Sequence, residues 1–201
     1  MLETPTKPEI LLIVPNSIEL HVTPEQFEAL ALANRDLRLE RTGTGELIVN
    51  PPTGWETGKR NFNLTGQLAR WCEEHENLGE GFDSSTGFIL PNGATRSPDA
   101  SWVSRQRWEA LTPAQKGTFP HICPDFVVEL RSTSDTLSDL QAKMREYMEN
   151  GALLGWLLNP KQRQVEIYRP GQNVEVLENP VELSGEDILP GFILNLNKLW
   201  G

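Results

Sequence analysis

Residues 124–131, Pro-Asp-Phe-Val-Val-Glu-Leu-Arg, constrain the fold of this chain more than any other segment. A proline and an aspartate open a short run of β-branched and aromatic side chains, which is strand composition. An unbroken apolar run of this kind suits a strand covered on both faces, so it predicts the central strand of a sheet with helices packed against it. The run carries one acid, Glu129, near its end, and Arg131 follows two residues later. Side chains alternate along a strand, so Glu129 and Arg131 share one face and Leu130 takes the other. A carboxylate in that place must meet water, a partner or a metal. Two readings stay open for Glu129: a metal-binding or catalytic group, or an edge carboxylate paired with a nearby arginine. Arg131 is either a direct chemical participant or the salt bridge at the strand end.

The elements around this strand follow from periodicity and turn chemistry. Thr23-Pro24-Glu25-Gln26 is a helix start, with a capping hydroxyl, a proline at the first position and an early acid. Strands are predicted over 37–41 and 46–50, joined by the hairpin turn Thr42-Gly43-Thr44-Gly45. A long helix over about 55–75 carries Leu64, Leu68 and Trp71 at four- and three-residue steps. Short strands are expected near 79–84, 87–90 and 99–103, then a short helix over 104–111 and an irregular stretch over 112–121. Ser132-Thr133-Ser134-Asp135 reads as the cap of a helix running to Asn150, closed by Gly151. Strands near 152–158, 164–168, 174–177 and 192–196 complete an α/β (α+β) domain with a mixed sheet flanked by helices. Residues 1–20 read as a loosely ordered N-terminal segment, and 21–201 as a single domain.

Other residues can join Glu129 in one chemical group. Asp99 follows Ser97-Pro98 and begins its own short apolar stretch. It is either a Mg²⁺ ligand at a strand start or a turn aspartate bonded to its own backbone. Lys143 lies on the flank of the helical stripe Leu137, Leu140, Met144, Tyr147 and Met148. Its ammonium either reaches the sheet end, with the stem laid along the core, or pairs with Asp139 one turn earlier. Glu40 shares a strand face with Arg38, and that face reads as solvated. Two carboxylates on neighbouring strands and one cation are the parts needed to hold Mg²⁺ against a phosphodiester and activate water.

Composition narrows the alternatives. With 38% hydrophobic and 23% charged residues the chain reads as an ordinary soluble globular protein. No apolar run approaches a membrane span, and the first nine residues lack the basic flank of a secretory signal, so the expected location is cytoplasmic, with no membrane partner. Cys72 and Cys123 have no metal-ligand spacing and read as thiols of a reducing compartment. His21, His75 and His121 share no zinc-binding spacing. There is no Gly-x-Ser-x-Gly elbow, and Thr42-Gly43-Thr44-Gly45 is too short for a phosphate loop. The net charge of −10 argues against a broad basic DNA-binding face. It does not argue against a nuclease, whose metal site concentrates acids.

Ser97-Pro98-Asp99, residues 124–132, Asp139-x-x-x-Lys143-x-x-x-Tyr147 and Gly151-Ala152-x-x-x-Trp156-x-x-Asn159-Pro160 together resemble the Uma-type putative restriction endonuclease family. That family is abundant in cyanobacteria and belongs to the PD-(D/E)xK nuclease superfamily. The resemblance covers roughly residues 20–200, including Leu39 to Leu47 and Pro51-Pro52-Thr53-Gly54. It implies a restriction-endonuclease-like core, with Asp99 and Glu129 holding Mg²⁺ (or Mn²⁺) and the Leu130 carbonyl assisting. It implies DNA as substrate and, by superfamily habit, a homodimer. Arg131 stands where the superfamily's lysine is usual, and an arginine cannot accept a proton. The resemblance therefore assigns the lysine's role to Lys143, a phosphate contact to Arg131, and the place of an additional acid to Glu40. The competing expectation, motivated by the acidic surface and by Arg131, is a non-catalytic nuclease-fold binding or assembly module.

Overall fold

The computed structural model describes residues 18–116 and 119–200; most of the N-terminal segment expected to be loosely ordered lies outside the described residues. The chain begins with α1 (Pro24–Ala33), capped by a reciprocal Thr23–Gln26 capping box. The hairpin β1 (Arg38–Arg41) and β2 (Leu47–Asn50) follows. Gly45 takes φ +99° in its turn, a conformation that disfavours any side chain. After the long α2 (Trp55–Glu74) come β3 (Gly79–Asp83), β4 (Phe88–Ile89), β5 (Thr95–Arg96), β6 (Ala100–Ser104), α3 (Arg105–Glu109) and α4 (Pro113–Lys116). The second half holds β7 (Phe126–Leu130), α5 (Leu137–Glu149), β8 (Leu154–Asn159), β9 (Gln164–Tyr168), β10 (Glu175–Glu178), β11 (Glu182–Ser184), β12 (Ile193–Asn195) and α6 (Asn197–Trp200).

The main sheet has the order β10-β9-β8-β7-β6-β3, so the 126–130 run is an interior strand, and all five of its residues are buried. β7 and β8 are parallel, joined across α5, while the other neighbouring pairs of this sheet are antiparallel. Alternation then sorts the side chains. Phe126, Val128 and Leu130 join a core with Leu64, Leu68 and Trp71 of α2 and with Leu194 and Leu199 near the C-terminus. Val127 turns to the opposite face, where Met144 and Tyr147 of α5 pack with Phe88 and Leu90. Glu129 points to this second face by the same alternation. A smaller sheet, β2-β1-β5-β4, brings the N-terminal hairpin next to that face.

Three features depart from the sequence expectation. The 132–135 stretch is not the helix cap: Thr136 holds that position without a side-chain bond. Asp135 instead accepts the Ser132 N–H at 2.7 Å, so the carboxylate closes a loop at the strand exit. The two-residue β5 and the three-residue β11 were not foreseen, because strands so short carry no readable alternation. The single turn of α4 falls in the stretch read as irregular.

Candidate active site

Asp99 immediately precedes β6, and its N–H donates to the Val128 carbonyl at 3.0 Å, which continues the β6–β7 ladder by one residue. Its Oδ2 accepts the Leu130 N–H at 2.8 Å. The two acids predicted on neighbouring strands thus come to the same sheet end, at the C-terminus of β7 and the N-terminus of β6. Glu40 reaches them from β1, and Lys143 from α5.

Lys143 sits between two carboxylates. Its Nζ lies 2.9 Å from Glu40 Oε1 and 2.8 Å from Glu129 Oε1. The alternative pairing with Asp139 is not the one adopted: the ammonium turns inward to the two glutamates of the sheet end. The Tyr147 hydroxyl donates to the same Glu129 oxygen at 3.0 Å. Glu40 and Glu129 are only 3% and 4% exposed, so the face of β1 read as solvated is an inner face. Glu40 also accepts from the Ser97 N–H, and its other oxygen meets Arg96 at 3.3 Å. Arg96 in turn donates to Glu146 of α5 at 2.5 Å.

These contacts set the protonation states. Burial pushes Glu40 up, but Lys143 and Arg96 together hold it below its ordinary value. Burial pushes Glu129 up to about 7, with Lys143 compensating in part and Asp99 and Glu40 repelling its charge. Burial likewise raises Asp99, against the Leu130 N–H and the nearby Lys143 and Arg38. Lys143 would be lowered by burial, yet its two glutamates raise it above an ordinary lysine. Tyr147 is raised by burial and by Glu129, so its hydroxyl stays a donor. The result is a charged lysine locked between acids, beside a carboxylate that ionises near neutrality.

Of the residues named from sequence, Glu40, Asp99, Glu129, Leu130 and Lys143 converge. Arg131 stands at the exit of β7 but joins no ion pair among the described residues: its Nε donates to the Asp135 carbonyl at 3.3 Å. Arg96, Glu146 and the Tyr147 hydroxyl were not anticipated as members of the cluster. The spacing Lys143, Glu146, Tyr147 was a readable signal, since residues three and four apart share a helix face. Arg96 gave none beyond its place just before Ser97-Pro98-Asp99.

The fit to a divalent cation follows from the donor set. Glu129 Oε2 and Asp99 Oδ1 accept no hydrogen bond from any described residue; both belong to carboxylates, and the Leu130 carbonyl is a further oxygen at the same strand end. Among the described residues no group of three or more His, Cys, Asp or Glu side chains is disposed to hold a metal by itself. Mg²⁺ does not require such a cage, since it is commonly held by one or two carboxylates with water and substrate phosphate. The residues present fit that mode of binding.

Comparison with known proteins bears on the family and the fold. The model of the Uma2 family, described as putative restriction endonuclease, matches residues 24–197. A crystal structure of a putative nuclease belonging to DUF820 from Anabaena variabilis superposes with a TM-score of 0.74. It is 18% identical, and the match covers 89% of this chain and 97% of that one, which shows a shared fold. No curated protein matches this chain.

Proposed function

Since the chain belongs to the Uma2 family of putative restriction endonucleases, we propose that it is a Mg²⁺-dependent endonuclease hydrolysing DNA phosphodiester bonds. The observation that carries this reading is the convergence of Asp99, Glu129 and Lys143 from three separate elements at one sheet end. Asp99 and Glu129 would hold Mg²⁺ or Mn²⁺ with the Leu130 carbonyl. The bound ion would supply charge neutralisation at the scissile phosphate and a water of lowered pKa. Glu40 holds Lys143 in place and shares its charge. Lys143, charged and directed by two carboxylates, orients the attacking water by hydrogen bonding and offsets negative charge as it develops on the phosphate. Tyr147 keeps Glu129 in its rotamer. Arg131, with Nε engaged by Asp135, offers its remaining N–H groups to a phosphate oxygen. Two-fold pairing of subunits would let two such sites cut opposite strands.

Plasmid nicking in Mg²⁺ tests this. The purified protein is expected to convert supercoiled DNA to the open-circular form, and Glu129→Ala to lose that conversion. Equal activity of the two proteins would remove the assignment. The second reading, a non-catalytic module of the same fold, is favoured by one observation: Lys143 is already neutralised by two glutamates. Calorimetry with Mg²⁺ and Mn²⁺ separates the readings. Millimolar or tighter binding that disappears in Asp99→Ala supports the enzyme, and no binding heat supports the module.

A further inference from the structure

The charged groups around the sheet end differ in how far the protein already uses them. Lys143 is held by Glu40 and Glu129, and Arg96 by Glu40 and Glu146. Arg131 has its Nε on the Asp135 carbonyl. Arg38 is different. It lies on β1 two residues before Glu40, so strand alternation turns both side chains to the same face. Its Nη2 stands 3.7 Å from Asp99 Oδ1, close enough for attraction and too far for a hydrogen bond. Its Nε is buried and hydrogen-bonds to no described residue. Its side chain is 38% exposed although Nε itself is buried, so the residue spans the inner face of β1 and the solvent boundary.

Nε–H and Nη2–H lie along one edge of the planar guanidinium, and that edge can engage two oxygens of a phosphate or carboxylate side-on. In Arg38 neither donor on this edge has an acceptor within hydrogen-bond distance among the described residues, and the edge lies beside Asp99. Its charge is permanent, so the donors cannot be silenced by proton loss.

Resting on the phosphodiesterase reading, we propose that Arg38 is the phosphate-binding subsite of this centre, its Nε–H and Nη2–H edge gripping non-bridging oxygens of the phosphate brought to Asp99 and Glu129. The alternative is that Arg38 only balances the charge of Asp99. A lysine would do that equally well, but it has no fork. The two roles therefore separate on Arg38→Lys.

The test is equilibrium binding of a short fluorescein-labelled DNA duplex, with Ca²⁺ replacing Mg²⁺ to hold back cleavage, across a salt series. Arg38→Gln is expected to weaken binding about tenfold or more and to reduce the slope of log K against log salt by about 1. Arg38→Lys is expected to regain the salt slope but not the affinity. Arg70→Gln, which removes an exposed charge on α2, is expected to change affinity less than threefold. Wild-type affinity and slope in Arg38→Gln would overturn the proposal, as would full affinity in Arg38→Lys or a wild-type protein that binds no duplex. The nuclease reading is judged separately. Binding that depends on Arg38 without nicking in Mg²⁺ sinks the enzyme and keeps the subsite. Nicking by the wild type with undiminished binding by Arg38→Gln does the reverse.

Discussion

Replacing Lys143 by methionine keeps the stem and removes the cation from between two buried acids. Glu40 retains Arg96 and the Ser97 N–H, whereas Glu129 retains, among the described residues, only the Tyr147 hydroxyl. The two ion-pair distances, 2.9 and 2.8 Å, are those of charge-assisted hydrogen bonds. Removing one partner of a buried pair costs about 3–5 kcal/mol, because the surviving charge stays desolvated. The lysine side chain is only 13% exposed, so solvent screening gives little relief. For a chain of this size each kcal/mol moves Tm by about 2–4 °C, so Lys143→Met is expected to lower it by about 6–20 °C. Thermal and urea unfolding at pH 8 without added metal is the assay, since Glu129, pushed up to about 7 by burial with Lys143 beside it, is then mostly ionised in the wild type. Loss of Lys143 raises it further, so the variant carries the cost of a stranded charge or of its protonation. Adding Glu129→Gln removes the stranded charge. The double variant is expected to recover about 2 kcal/mol relative to the sum of the two singles, within the range seen for residues in direct contact. Additive losses, or a Lys143→Met that costs under about 1 kcal/mol, would refute a lysine that works as the counter-charge of this site.

Two further substitutions probe the scaffold and the acid separately. Tyr147→Phe deletes the hydroxyl that donates to Glu129 at 3.0 Å; it is expected to cost about 1.5–3 kcal/mol in urea unfolding, as for other hydrogen bonds to charged groups, with the circular-dichroism spectrum unchanged. Gly79→Ala places a Cβ against the Val103 carbonyl and the Trp102 ring, and the carbonyl is backbone that cannot swing aside. The expected loss is about 1–3 kcal/mol or more, and amide exchange in β3 and β6 should quicken while that in β9 does not.

Much of the fold could be read from the chain because its strongest elements are locally self-consistent. The apolar run of β7, the stripe of Leu64, Leu68 and Trp71 in α2, and the stripe around Met144 and Tyr147 in α5 each announce period and burial together. β5 could not be read, since two residues, Thr95 and Arg96, hold it by pairing with β1 and β4 rather than by any pattern of their own. The site divides along the same line. Asp99 and Glu129 sit beside recognisable strand starts and ends. Glu40, however, lies on a strand whose Arg-Leu-Glu-Arg sequence alternates like a surface strand. Only the docking of the small sheet against α5 turns that polar face inward, and docking is a tertiary event without a local signature. Arg96 was missed for the same reason: it is buried between Glu40 and Glu146, acids 56 and 50 residues away in sequence.

The placement of the cation on α5 links assembly of the site to assembly of the fold. A basic residue at the exit of β7 would stand beside the acids as soon as the strand formed, and that position is held by Arg131, whose guanidinium turns to Asp135. Lys143 instead arrives only when α5 has packed on the sheet, and it meets Glu40 only when the β1–β2 hairpin has closed over the same face. Arg96 adds a second clamp, joining the small sheet to α5 through Glu146. Before these parts meet, the acids and cations are solvated separately. Once they meet, each buried carboxylate depends on a cation from another segment, so a partly docked state would leave a desolvated charge without its partner. Cooperative closure of the site follows from that penalty. Glu40, Glu129 and Glu146 of this −10 chain are thereby gathered into a centre with paired internal cations; on the proposed reading, a bound dication and the Arg38 edge would there receive a phosphate that the acidic surface otherwise repels.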